Sequence, residues 1–470
     1  MWQLNNFKNN IAVIEENGKT VSYSQLDKYT KDLTNNIDSR CLVFNMCRNE
    51  LASLVGYIGF LNAKIVPLML KADLENDLLQ NLLETYKPSY IWLPSEQANI
   101  YPFEKVYDNL GYALLKTNYE EKYELNDELA LLLTTSGSTG SPKLVRQSYK
   151  NIEANTKSII EYLQLDESER AITTLPMNYT YGISIINTHL YVGASIILTD
   201  KGLMQKEFWQ QFKEFDATSF GGVPYTYEML FRLRFFRMSL PSLRYMTQAG
   251  GKLSPELHEK FAKWAFENNK KFIVMYGQTE ATARMSYLPY EKSLEKYGSM
   301  GIAIPGGRFS LIDVNGNEIN DSDTVGELVY VGDNVTLGYA TEGADLSKGD
   351  ERFGKLITGD MAKFDKDGFY YIVGRKKRFL KIYGNRVNLD ETERLIKAKY
   401  PELDCACSGV DDNMKIFITN ISYKDDLISF IAEKTGLNRV AFSVEYIDEI
   451  PKNEAGKTLY KELEKVVVNA

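Results

Sequence analysis

Runs of buried-strand character alternate with amphipathic helical segments through the first two thirds of the chain. CLVFNM (41–46) reads as a strand, and LASLVGYIGFLNAKIVPLML (51–70) follows as a long apolar run. That run contains Asn62, Lys64 and Pro67, and a charge near the middle of a membrane span is costly, so it reads as a buried helix running into a strand. DLENDLLQNLLETY comes next, with Asp73 as expected N-cap and Leu74, Leu78 and Leu82 at helical spacing, and SYIWLP returns to strand. RAITTLPM, ASIILTD, the helical FWQQFKEF and KFIVMYG continue the alternation, which predicts an α/β fold with doubly wound parallel sheets. From about Gly298 the texture becomes β-rich. FSLIDVNGNEI carries an Asn-Gly hairpin turn, GELVYVG is a strand, and MAKFDKDGFYYIVG reads as two strands around Asp365 to Gly368. The DKDG turn lacks the remaining ligands of a calcium loop, so a hairpin is expected. ETERLIKAKY opens a compact α+β tail.

A chain of 470 residues exceeds what one hydrophobic core supports, so two or more domains are expected. The net charge of −8 argues against a general nucleic-acid binder, while leaving room for a local basic patch facing an anionic ligand. Cys41, Cys47, Cys405 and Cys407 show neither zinc-ligand spacing nor a CxxC pair, and His189 and His258 are the only histidines, so no structural metal is expected. The N-terminal MWQLNNFKNN lacks the basic-then-apolar layout of a secretory signal, and with few cysteines the expected compartment is the cytoplasm.

The candidate chemistry starts at TTSGSTGSPK (134–143), where the strand-like DELALLLT enters a loop of glycine, serine and threonine. Gly137 and Gly140 let the backbone turn its N–H groups inward as a nest, while Thr135, Ser136, Ser138, Thr139 and Lys143 supply donors and charge suited to phosphate. A solvated surface turn is the alternative reading of such a cluster. Pro142 stands where a Walker A loop needs its second glycine, so an ordinary P-loop nucleotidase is disfavoured.

With YGQTE (276–280), GELVYVGDNVTLGY (326–339), ITGD (357–360), GRKKRFLKIYGNRV (374–387) and PKNEAGKT (451–458) in order and register, the chain resembles the adenylate-forming superfamily of acyl- and aryl-CoA synthetases, peptide-synthetase adenylation domains and luciferases. Its closest likeness in character is to a stand-alone AMP-forming acyl-CoA synthetase. The resemblance implies a large N-terminal domain at 1–374 with a small β-rich part, a hinge at 375–378 near Arg378, and a small mobile α+β domain at 379–470. The reaction it implies is activation of a carboxylic acid by ATP to an acyl-adenylate, with loss of pyrophosphate, then transfer to a thiol. That thiol is coenzyme A or, alternatively, the phosphopantetheine arm of an acyl carrier protein; a non-catalytic nucleotide-binding scaffold is a further alternative.

By the same resemblance the loop up to Lys143 would hold the β- and γ-phosphates, Thr279 would contact the α-phosphate, and Glu280 would help hold Mg²⁺. Tyr276 and Gly277, with Gly250 and Gly251, would flank adenine, and Asp360 and Arg375 would hold the ribose. Lys457 would stabilise the adenylation transition state, and Gly384 would admit the pantetheine arm. Taken alone, Tyr276 reads as a core tyrosine, Asp360 as a turn residue, and Lys376 and Lys377 as parts of a solvated face. The departures are Tyr179 in place of a common histidine, Leu144 in place of a common glycine, and the basic GRKKR in place of an acidic hinge residue. Gly182 fills the place where activators of α-amino acids carry an aspartate, which favours an acid with no free α-amino group.

Overall fold

The computed structural model describes residues 2–134, 143–383, 385–452, 458–460 and 462–463. The chain forms two compact units, one of residues 1–308 and 330–356, the other of 309–329 and 357–470.

The larger unit is built on two sheets. The eight-stranded sheet runs in the order 338–340, 144–148, 129–134, 66–71, 42–47, 90–94, 112–116, 104–109, with a parallel centre (129–134, 66–71, 42–47, 90–94) and antiparallel flanks. The nine-stranded sheet is parallel from Lys271–Tyr276 through to Ile11–Ile14 and antiparallel at both edges. The expected α/β architecture is therefore present. Strands 42–47 and 66–71 are buried along nearly their whole length, which is why they read as continuous apolar runs rather than alternating ones.

The apolar run from Leu51 forms a helix, Leu51–Asn62, buried from Leu51 to Leu61, and then the strand Val66–Lys71. It shares one core with the helix Thr180–Val192, and Tyr57 Oη donates to Asn187 Oδ1 at 2.8 Å between the two helices. No helix among the described residues is long and apolar enough to cross a membrane. One local expectation fails. The next helix is Asn76–Tyr86 with Glu75 as N-cap, and Asp73 pairs with Lys71 at 2.9 Å instead of capping. Its buried positions are Leu79, Leu82, Leu83 and Tyr86, so Leu74 lies outside the helix.

The smaller unit begins with the β-rich part, a five-stranded sheet in the order 318–319, 308–312, 326–331, 355–364, 370–375. Both expected hairpins are there. Gly316 and Gly368 take positive φ at the turns, and Asp365 Oδ1 accepts the backbone N–H groups of Asp367 and Phe369. The tail follows as a hairpin of Phe379–Ile382 and Asn385–Asn388, the helix Leu389–Lys399, and a three-stranded sheet (405–410, 413–418, 442–446) with the helix Lys424–Thr435. Ile382, Ile396, Cys407, Ile416, Leu427 and Ile431 form its core.

Candidate functional site

The strand Leu129–Thr134 delivers the chain to the glycine-serine-threonine loop, and Leu144–Ser148 leaves it as the antiparallel neighbour. Thr135, Ser136, Gly137, Ser138, Thr139, Gly140 and Pro142 lie outside the described residues, as do Gly384 and Lys457. Lys143, at the foot of the loop, is described. Its Nζ lies 3.4 Å from the ring centre of Tyr339, which sits on the edge strand Gly338–Ala340 paired with Leu144–Ser148.

Tyr339 joins Lys143 to the YGQTE segment. Its hydroxyl donates to Glu280 Oε1 at 2.7 Å, while Arg352 stacks 4.6 Å from the ring centre on the same residue. Arg352 Nη1 also donates to the backbone carbonyl of Glu280 at 3.0 Å and to Thr336 Oγ1 at 2.6 Å, and Thr336 donates its own N–H to that carbonyl. Burial, assisted by the Glu280 charge, pushes the Tyr339 hydroxyl up to about 12, so it stays protonated and keeps donating. The result is a short turn, Thr279–Ala281, in which Tyr339 holds the Glu280 carboxylate and Arg352 and Thr336 hold the Glu280 backbone carbonyl. Tyr339 closes the GELVYVGDNVTLGY segment, so its motif was visible; Arg352 carried no signal of its own.

Tyr276 ends the strand Lys271–Tyr276, and the hydroxyl of Tyr276 accepts from Gln278 Nε2 at 3.2 Å. Gly277 is a glycine by necessity, because a Cβ there would lie 1.6 Å from the carbonyl oxygen of Ala283. Gly250, at φ +84, and Gly251 follow the neighbouring strand Tyr245–Gln248, whose turn is tied by Gln248 Nε2 donating to the Gly251 carbonyl at 2.9 Å. Tyr276, Gly277, Gly250 and Gly251 thus lie at the C-terminal ends of adjacent parallel strands, where open α/β sheets bind ligands. Tyr179 stands at the N-cap of the helix Thr180–Val192, and its hydroxyl lies 2.9 Å from where a Cβ on Gly250 would be. Burial pushes that hydroxyl up to about 12, with the nearby Arg284 charge acting in the opposite direction.

In the smaller unit Asp360 and Arg375 are direct cross-strand partners on 355–364 and 370–375, with Arg375 Nε 3.8 Å from Asp360 Oδ1. Asp360 is buried and Arg375 exposed, so the pair presents one carboxylate and one guanidinium at a strand edge. Lys376 is not a free cation of a solvated face; it pairs with Glu327 at 2.7 Å, and Glu327 is itself buried. Arg378 is partly buried, its side chain 11% exposed, and is held by Asp390, Glu393 and the Cys407 carbonyl.

The layered sheets, the glycine turns at their strand ends and the Lys143–Tyr339–Glu280 junction define an α/β enzyme fold of the adenylate-forming type. A family model described as AMP-binding enzyme matches residues 1–340, and the chain belongs to that family. Among curated proteins it is similar to an oxalate–CoA ligase of Saccharomyces cerevisiae, 27% identical over 344 residues, covering 71% of this chain and 62% of that protein. A long-chain-fatty-acid–CoA ligase of Escherichia coli O157:H7 is 27% identical over 355 residues, covering 72% of this chain and 61% of that protein. The chain thus matches less than two thirds of these relatives' lengths. Among solved structures, o-succinylbenzoate CoA synthetase from Bacillus subtilis in complex with its acyl-adenylate intermediate superposes with a TM-score of 0.80 at 20% identity, covering 98% of this chain and 97% of that one. The same Bacillus enzyme in complex with ATP and magnesium ion gives a TM-score of 0.80 at 19% identity, covering 98% of each chain.

Proposed function

We propose that the chain is an AMP-forming acid–thiol ligase that activates a carboxylic acid with ATP and transfers it to coenzyme A. The observation that carries this reading is the convergence of Lys143 and Glu280 on Tyr339 in a chain of the AMP-binding family. The names of the curated relatives, which are CoA ligases, support coenzyme A as acceptor.

In the first step a carboxylate oxygen attacks the α-phosphorus of ATP, the bond from that phosphorus to the bridging oxygen breaks, and pyrophosphate leaves. Two anions must meet, so the site's work is to neutralise charge and align the groups. Lys143 and the loop before it would hold the β- and γ-phosphates, and Thr279 the α-phosphate. Glu280, fixed by Tyr339 and by the Arg352 contacts to its own carbonyl, offers a hard oxygen ligand suited to Mg²⁺. Mg²⁺ would supply charge neutralisation on the triphosphate. Tyr276 and the Gly250–Gly251 turn would flank adenine, and Asp360 would accept the ribose hydroxyls with Arg375 beside it. Lys457 would place a point charge between the carboxylate and the α-phosphate. In the second step the thiolate attacks the acyl carbonyl and AMP leaves.

The division into 1–374 and 379–470 with a hinge at 375–378 belongs to the same proposal. Among the described residues the Arg378 side chain contacts Asp390, Glu393, the Cys407 carbonyl and Tyr460, all on its C-terminal side, which supports a swivel at or before Lys377. Rotation there would break Asn388 Nδ2 to the Val373 carbonyl at 2.9 Å, Arg394 Nη2 to the same carbonyl at 3.4 Å and the Arg375 N–H to Asp390 at 3.3 Å, among other contacts.

ATP–pyrophosphate exchange with a panel of carboxylic acids tests the first step. Supplying coenzyme A or a phosphopantetheinylated carrier protein to the loaded enzyme separates the two acceptors.

A further inference from the structure

Arg284 follows the Thr279–Ala281 turn and is 3% exposed. Among the described residues no carboxylate pairs with it. Its Nε donates to Met275 Sδ at 3.3 Å, and its guanidinium carbon lies 3.9 Å from the ring centre of Tyr181. A buried ion without a counter-charge is costly, and a cation–π contact returns only about 0.5 to 2 kcal/mol of that cost. Nothing in the local fold requires a charge here: the backbone carbonyl of Arg284 is what Asn155 and Asn334 bind, and any residue supplies that.

The guanidinium lines a cavity of about 10 Å³ enclosed by the helices Tyr149–Leu163 and Thr180–Val192 and by the strands Ser219–Gly222 and Tyr245–Gln248. That is room for about one water. A Cβ on Gly221 would come within 2.9 Å of Ile185 Cδ1 and 3.0 Å of Tyr181 Oη, so only glycine keeps the space open. Thr247 lines the wall, and its hydroxyl shares a hydrogen bond at 2.8 Å with that of Tyr181. His189, also on the wall, is held below its ordinary value by burial and is neutral, so Arg284 is the charge facing this space. Tyr179 is near enough to feel the Arg284 charge and sits against Gly250, which links the cavity to the glycine turn at the strand ends.

We propose that this cavity is the inner end of the acid pocket and that the acid carries a second, remote carboxylate, which Arg284 receives. The proposal rests on the reading that the chain activates a carboxylic acid. A planar carboxylate matches the two-pronged guanidinium and supplies the missing counter-charge, whereas a ring or an alkyl chain supplies none.

The test measures ATP–pyrophosphate exchange with length-matched acids, malonate against propionate, succinate against butyrate and glutarate against valerate. Calorimetric titration of each diacid into the wild type, Arg284→Met, Arg284→Lys and Gly221→Ala accompanies it. The wild type is expected to prefer one diacid over its matched monoacid by about 100-fold or more in kcat/KM, the scale on which sites built around a buried polar group discriminate. Arg284→Met should collapse that ratio to within about 5-fold of unity and abolish diacid binding, Arg284→Lys should keep an intermediate ratio, and Gly221→Ala should weaken diacid binding by occluding the cavity. A wild type that prefers the monoacid, or an Arg284→Met variant of unchanged melting temperature that keeps the ratio, overturns the proposal. Diacid binding that depends on Arg284 without exchange for any acid retains the anion subsite and sinks the acid-activation reading. Exchange with monoacids without diacid binding sinks the subsite alone.

Discussion

Arg378 in the smaller unit, partly buried, and Arg284 in the larger one, buried, are both guanidiniums largely withdrawn from water, and their surroundings differ in one respect. Arg378 Nε donates to Asp390 at 2.9 Å, Nη2 to Glu393 at 2.6 Å and Nη1 to the Cys407 carbonyl at 2.6 Å, with the Tyr460 ring 3.7 Å away. Glu393 in turn accepts the Cys407 N–H and the Tyr460 hydroxyl, so the network closes on itself. Burial works against the Arg378 charge, but the two carboxylates outweigh it and hold the guanidinium protonated more firmly than in water. Arg284 has a sulfur, an aromatic face and a cavity. A closed set of partners marks a charge that holds the fold together. An open set marks a charge placed for something the chain does not itself supply.

Substitution separates the two most sharply. Arg378→Met leaves Glu393 buried without its counter-charge, and denaturant unfolding should show a loss of about 3 to 5 kcal/mol in the smaller unit. Arg284→Met removes an unpaired buried ion, and its unfolding free energy should stay within about 1 kcal/mol of the wild type. Equal losses would erase the distinction. The same reasoning qualifies any hinge experiment at Arg378, since even alanine there mixes lost stability with changed motion.

A third cation, Lys457, is the charge we propose to act in the adenylation transition state. Lys457→Ala should lower acid-dependent pyrophosphate exchange by roughly 100- to 1000-fold, as for other preorganised electrostatic stabilisers, and leave thioester formation from supplied acyl-adenylate largely intact. Equal loss of both steps would place Lys457 elsewhere. Asp360 is the carboxylate counterpart, buried beside an exposed Arg375. Asp360→Ala should weaken ATP binding by about 1.5 to 3 kcal/mol, and unchanged affinity by calorimetry would remove it from the site.

A further expected effect concerns a buried histidine. His258 Nδ1 accepts the Gly298 N–H at 3.0 Å and Nε2 donates to Ser293 Oγ at 2.9 Å; burial lowers its pKa to about 4. The unfolded imidazole takes its proton near pH 6.5, while the folded one does not until about pH 4. The histidine's contribution is therefore intact above pH 6.5 and is lost as the pH falls through that window. By pH 5 the loss should reach about 2 kcal/mol, and His258→Gln should flatten the dependence between pH 6.5 and 5. An identical pH profile in the variant would assign the acid lability to other groups.

Local signals were legible in the sequence where they decide local structure. The strands at 42–47 and 90–94 and the hairpins at Gly316 and Gly368 follow from apolar runs and turn residues. Asp73 misled because an acidic residue ahead of an amphipathic run serves equally well as a surface partner for Lys71. Glu280, Tyr276, Asp360 and Arg375 were visible through their motifs. Tyr339 and Arg352 acquired a role only through packing, 59 and 72 residues from Glu280 along the chain. Arg284 was the least legible. An arginine beside a loop motif reads as a surface residue, and only the packing of the tyrosines around it reveals a buried charge.

Acid-dependent ATP–pyrophosphate exchange is the most direct test of the account as a whole, since it reports formation of the acyl-adenylate without requiring the acceptor. The account predicts exchange that depends on Mg²⁺ and on a carboxylic acid, strongest with a short diacid and sharply lowered in Lys457→Ala. ATP binding with no exchange across mono- and dicarboxylic acids would contradict it and leave a nucleotide-binding protein without ligase activity.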